Sequence, residues 1–156
     1  MSSHAHPNHN SLFIYKTIKM DNSTPQKPQE EFAEMLFQRI KSFGLRCIPV
    51  CDNLFQKSLS AKNIAGQLVR SSASSVANYR VARRSRSSKE FFAKLSIVIE
   101  ELDESLFWLE YSIDANFHQE SKLKNLIDEG SEILKILSKS RKTVGDTLQR
   151  KNNLPD

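Results

Sequence analysis

The sequence predicts an all-α protein, an antiparallel up-down four-helix bundle behind a flexible amino-terminal tail. Three observations carry that expectation. Only Pro49 of the five prolines lies within 29–152, and the whole chain has four glycines, so long helices with short connections are permitted. Apolar or small residues recur at spacings of three and four in four successive blocks. The 156 residues, 38% hydrophobic, suit one domain with a single core. The expected organisation is a tail over 1–28, the bundle over 29–152 and a short carboxyl-terminal tail over 153–156.

The first block mixes Ser, Asn, His and Pro and favours no element. Its histidines His4, His6 and His9 have a spacing that could hold a metal weakly; a solvated tail is the preferred reading, because no scaffold fixes a geometry there. The run SLFIYKTIKM, 11–20, is either a short strand or part of the tail, and Met20 offers a second candidate start. The first helix is expected to open near Pro28, since proline suits a first turn and Glu30 and Glu31 favour the positive end of the helix dipole. Phe32, Leu36, Ile40, Phe43, Cys47, Val50 and Leu54 then form one stripe. Pro49 should interrupt and kink it by removing a backbone donor. Ser58 or Ser60 is placed to cap the next helix.

The second helix contains RSSASSVANYR, four serines within five residues. Its seam runs Ala61, Ala65, Leu68, Ser72, Ser75, Tyr79, Ala82 and Arg86. Serine costs roughly 0.5 kcal/mol against alanine inside a helix, about 2 kcal/mol for four. Close helix approach across small side chains can offset that through packing contacts. A linker would not keep apolar residues in phase on both sides of the serines.

Ser87 followed by Glu90 three residues on is a capping box, so a third helix should run from Ser88 to Ala115. Phe91, Leu95, Val98, Leu102, Ser105 and Leu109 form its seam, with Phe92, Ile99, Leu106 and Ile113 beside it. So wide a stripe belongs inside a bundle. After a break around 116–118, Leu123, Leu126, Ile127, Gly130, Ile133, Leu134, Leu137, Val144 and Leu148 mark a fourth helix. Four such helices with short loops pack most simply up and down.

Charge is the most informative functional feature. The net charge is +5 and the pI about 9.3. Between Arg70 and Lys94 there are seven basic residues and one acid, Glu90; between Leu95 and Glu120 there are seven acids and no Lys or Arg. Arg80, Arg83 and Arg84 crowd one end of the second helix. One or two of them are explained by the helix dipole; five basic residues within 80–89 exceed that need. Phosphate binding is the first reading, with Arg70, Arg80, Arg83, Arg84, Arg86 and Lys89 as candidates and Arg141 and Lys142 extending the patch. Ion pairing within or between subunits and a merely solvated face are the alternatives. No RNA-recognition or zinc-finger signature accompanies the charge, so only non-specific RNA or DNA binding is supported. Phe107, Trp108 and Tyr111 read as core or as an oligomer interface in preference to a base-stacking platform.

Catalysis and metals find little support. Glu100, Glu101 and Glu104 lack the Glu-x-x-His partners of di-iron bundles. Cys47 and Cys51 read as small core residues. No Gly-rich phosphate loop or nucleophile–base pair is visible. The expectation is a non-enzymatic protein without cofactor or metal. Without a secretory pattern or an apolar run long enough to span a bilayer, it is expected to be cytoplasmic, with reduced thiols and no membrane partner.

Several runs together resemble a known family: QLVRS (67–71), SVANYR (75–80), RSRS (84–87), FFAKL (91–95) and EELDESLFWLE (100–110). They are similar to the bacterial 23S rRNA intervening-sequence proteins, whose bundle shape is shared by accessory proteins of diversity-generating retroelements. The similarity covers roughly Phe37 to Tyr111. It implies a homopentameric four-helix bundle with no established enzyme activity. In the retroelement relatives, a basic barrel-like oligomer binds nucleic acid and a reverse transcriptase. Val81 and Ile99 depart from the pattern, standing where the family often carries acidic residues.

Overall fold

A computed structural model describes residues 27–152, and within them it contains four helices: α1 (Lys27–Phe55), α2 (Leu59–Ala82), α3 (Ser88–Asp114) and α4 (Glu120–Asn152). Each helix packs on its two neighbours around a closed cycle, α1 on α2, α2 on α3, α3 on α4 and α4 on α1. Cross-helix contacts fix the antiparallel sense. Phe37 stacks on Tyr79, while Gly44, seven residues later on α1, sits against Ser72 and Val76, earlier on α2. The tail histidines and 11–20 lie outside the described residues.

Apart from Arg86, the predicted seams form the observed core or pack against it. Leu36, Ile40, Phe43, Cys47 and Leu54 of α1 meet Ala61, Ala65, Leu68 and Tyr79 of α2. Phe91, Leu95, Val98, Leu102 and Leu109 of α3 and Leu126, Ile133, Leu137 and Val144 of α4 complete it. Ile99 also packs against this core, which accounts for an apolar residue at one of the two departing positions.

The serine run is a close-packed seam. Ser71, Ser72 and Ser75 are buried. Ser75 donates to the Ser72 carbonyl at 2.8 Å, and the Ser105 hydroxyl reaches across from α3 to Ser71 at 2.9 Å. Buried hydroxyls are thereby satisfied, which a close-packed polar seam requires. Gly44 lets α1 approach: a Cβ there would lie 2.8 Å from Val76 Cγ2 and 3.3 Å from the Ser72 carbonyl oxygen.

Caps set the boundaries. Ser58 accepts from the Ala61 amide at 3.2 Å and so is the cap in preference to Ser60. Ser87 accepts from the Glu90 amide at 3.1 Å, and Glu90 returns a bond to the Arg86 amide at 2.9 Å, one residue before its usual place in a capping box. The extended Ser87 backbone (φ −145°) ends any continuation from α2. Arg86 is therefore an exposed loop residue, a correction to its assignment on the helical seam. At the far end, Asn116 adopts φ 58°. Its amide bonds the Ile113 carbonyl and the Phe117 amide the Ser112 carbonyl, a Schellman stop that ends α3 at Asp114, one residue early.

Pro49 does not interrupt α1, which continues to Phe55. The donor it removes would have served Leu45, which lies on the solvent face where water can satisfy the carbonyl. Meanwhile buried Cys47, Cys51 and Leu54 hold both flanks of Pro49 to the core.

Candidate nucleic-acid interface

The up-down topology gathers the start of α1, the end of α2, the start of α3 and the end of α4 at one pole of the bundle. Arg141 of α4 stacks over Phe92 of α3 at 4.5 Å and Arg83 lies over Phe37 of α1 at 5.1 Å, which ties the four together. The α2–α3 connection, Arg83–Ser87, crosses this pole. Arg80 is exposed on the last turn of α2, Arg84 and Arg86 are exposed on the connection, and Lys89 is exposed on the first turn of α3. None of these four makes a salt bridge among the described residues. Lys142, near the same pole, is also exposed.

The other candidate cations are engaged within the chain. Arg83 bonds Glu34 at 2.6 Å, and Gln38 and Arg83 together hold the Glu34 carboxyl below the usual range. Arg141 donates its Nε to Ser96 at 2.6 Å. Arg70 sits near the middle of α2, about 15 Å from Arg80 at 1.5 Å per residue. It bridges to α3, pairing with Glu104 and, at 3.4 Å, with Glu101. Hydrogen bonds from Arg70 and from the Trp108 indole keep the Glu104 carboxyl low. These pairs join residues 31 to 49 positions apart, so only the register between helices brings them together; i,i+3 and i,i+4 spacing within one helix gave no sign of them.

Phe107, Trp108 and Tyr111 do form one cluster, with ring centroids 4.9, 5.6 and 5.7 Å apart. The three rings differ in burial. Trp108 packs against the core and donates to Glu104 at 3.1 Å, whereas Phe107 and Tyr111 remain about half exposed on the outer face of α3.

Cys47 and Cys51 are free and buried. Burial pushes the Cys47 thiol up to about 12 and the Cys51 thiol to about 11, as expected of unreactive core thiols. Among the described residues no three His, Cys, Asp or Glu side chains gather as a metal site, and no helix is long and apolar enough to cross a membrane.

A fold and a charged pole of this kind leave the family open; the sequence match decides it. Residues 35–139 match the family of 23S rRNA-intervening sequence proteins. The chain belongs to that family. The match extends well beyond the 37–111 stretch in which the resemblance is readable by eye, taking in most of α4. A solved protein of unknown function from the S23 ribosomal protein family of Bacteroides thetaiotaomicron VPI-5482 is similar in fold. It is 24% identical with a TM-score of 0.63, the alignment covering 70% of this chain and 97% of that one. No curated protein matches the chain.

Proposed function

We propose that this intervening-sequence family protein is a non-enzymatic, oligomeric scaffold whose basic pole holds the phosphate backbone of RNA or DNA without reading sequence. The observation that carries the proposal is the set Arg80, Arg84, Arg86 and Lys89, exposed together on one connection and its flanking turns without a salt bridge among the described residues. A surface cation left unpaired beside others of the same sign repels its neighbours, and a polyanion relieves that repulsion while releasing counterions. Lys142 would widen the footprint. Arg70, Arg83 and Arg141 contribute indirectly, by fixing the helices that present the connection. Copies of the pole in an oligomer would add by avidity. Cytoplasmic action beside a nucleic-acid enzyme such as a reverse transcriptase fits such a scaffold.

The test is fluorescence anisotropy with generic single-stranded RNA and duplex DNA at about 50 and 200 mM salt. About four phosphate contacts predict a roughly 100-fold loss of duplex affinity over that range. Binding that ignores salt, or no binding at the lower concentration, would overturn the proposal.

A further inference from the structure

Among residues 1–29, large apolar side chains other than Met1 are confined to SLFIYKTIKM, 11–20, where six of ten residues are apolar. The six residues that follow, DNSTPQ, are polar or proline and include Asp21, the one acid before Glu30. A polar spacer thus separates the apolar run from the start of α1 at Lys27. Apolar groups at that density gain by leaving water, about 25 cal/mol for each Å² buried.

The bundle offers a surface of matching chemistry. Between α1 and α2 runs an open groove of about 610 Å³, lined by Phe37, Lys41, Leu45 and Ile48 of α1 and by Val69 of α2. Leu45, Ile48 and Val69 are 55, 43 and 43% exposed, so the trough faces solvent. Its floor is low, because Gly44 and Ala73 also line it. From Phe37 to Ile48 it is some 16 Å long at 1.5 Å per residue.

Reach and direction connect the two. Positions 27, 30, 34, 37, 41, 45 and 48 follow one another at spacings of three and four, one row along α1, so the chain before α1 leaves from the groove's side. Phe37 lies about 15 Å from position 27 and Lys41 about 21 Å. The seven steps from Lys27 back to Met20 span up to about 23 Å. The apolar run therefore starts where the groove starts, and its remaining residues are long enough to fill it. Asp21 arrives at the end that carries Lys41, a lysine without a salt bridge among the described residues.

We infer that residues 12–20 occupy the α1–α2 groove of their own chain, running away from the basic pole. The reverse direction would put Met20 at Ile48, roughly 31 Å from position 27 and out of reach. Ile14 and Ile18 are the anchors, since residues four apart share a side in helix and strand alike; they meet Leu45, Ile48 and Val69. The contact goes beyond phosphate binding and does not rest on it. Arg84, Arg86 and Lys89 lie outside the groove, and Arg80, at its pole end, is left to phosphate.

The experiment is disulfide trapping in the full chain, with circular dichroism confirming that each variant keeps its helicity. Ile18→Cys is combined with Leu45→Cys, or with Arg46→Cys, which is equally deep and exposed but outside the groove lining. Cys47 and Cys51 are buried and stay out of the exchange. The 18–45 bond should form within one chain, at least tenfold faster than the 18–46 bond and at a rate independent of protein concentration. Ala73→Trp fills the groove from an exposed position and should abolish the difference. Ile14→Asp lies outside the bundle, so it leaves the fold intact, and it should slow the 18–45 bond about tenfold or more. Equal rates at 45 and 46, or a difference that survives both substitutions, would overturn the inference. So would a bond that joins two chains, which would give the groove to a second copy's segment. None of these readouts involves nucleic acid, so failure here leaves the anisotropy result standing, and the converse also holds.

Discussion

At the residue scale, environment decides what each reactive or charged side chain can do. Cys47 and Cys51 are thiols in a dry seam, held protonated by burial. A neutral-pH thiol reagent should therefore label neither in the native protein and both after denaturation; rapid native labelling would contradict the packing described. Arg39 and Glu129 form a two-pronged pair between α1 and α4, at 2.8 and 3.0 Å. The Arg39 guanidinium holds the Glu129 carboxyl below its ordinary value. A carboxyl depressed in the folded state stabilises above its unfolded pKa, about 4.3, and that stabilisation is lost as pH falls through the folded value. Glu129→Gln should thus lower the melting temperature at pH 7, by a few degrees at most because both side chains are about a third exposed. The gap to wild type should shrink below about pH 4; a gap that persists would assign the loss to packing. The sequence announced the thiols as core residues because they fall on an apolar stripe. It did not announce Arg39–Glu129, Arg70–Glu104 or Arg83–Glu34, because a pair between helices depends on a register that spacing along one chain does not encode.

At the scale of the elements, glycine discriminates between tight and open helix contacts. A Cβ on Gly130 would lie 2.6 Å from a Phe43 ring carbon and 2.8 Å from Leu106 Cδ2, where α4 meets α1 and α3; at Gly66 it would meet nothing within 4 Å. Gly130→Ala should therefore destabilise by about 1–3 kcal/mol through overpacking, while Gly66→Ala should stabilise by about 0.5–1 kcal/mol through helix propensity. Denaturant melts of the two variants check this, and the same sign for both would contradict the packing. Helices and their seams were legible because period and caps agree along the chain: Ser58 and Ser87 cap the starts of α2 and α3 as their types suggest. Pro49 was not legible as a helix interior, since its local cost is visible in sequence and the flanking burial that outweighs it is not. The end of α2 was misplaced for a related reason, because the small-residue period runs on past Ala82 into the connection that the Ser87 cap requires to be extended.

At the scale of the whole molecule, antiparallel topology turns a local run of arginines into a pole. The α2–α3 connection carries the charge, α1 and α4 bracket it, and the acidic outer face of α3 leads away from it. Sequence composition indicated the charge asymmetry. It did not indicate that Arg70, Arg83 and Arg141 would be spent within the fold, leaving Arg80, Arg84, Arg86 and Lys89 to face solvent. The most direct test of the basic pole compares two triple variants in the anisotropy titration with duplex DNA. Arg84→Glu/Arg86→Glu/Lys89→Glu alters the pole; Lys57→Glu/Lys62→Glu/Lys122→Glu alters the opposite end. Each replacement changes the charge by −2, so both variants move from +5 to −1. A local site predicts that the polar variant loses nearly all affinity and about three units of salt slope, while the opposite-end variant keeps most of both. Equal losses in the two would show that net charge alone governs binding and would contradict a basic pole as the site.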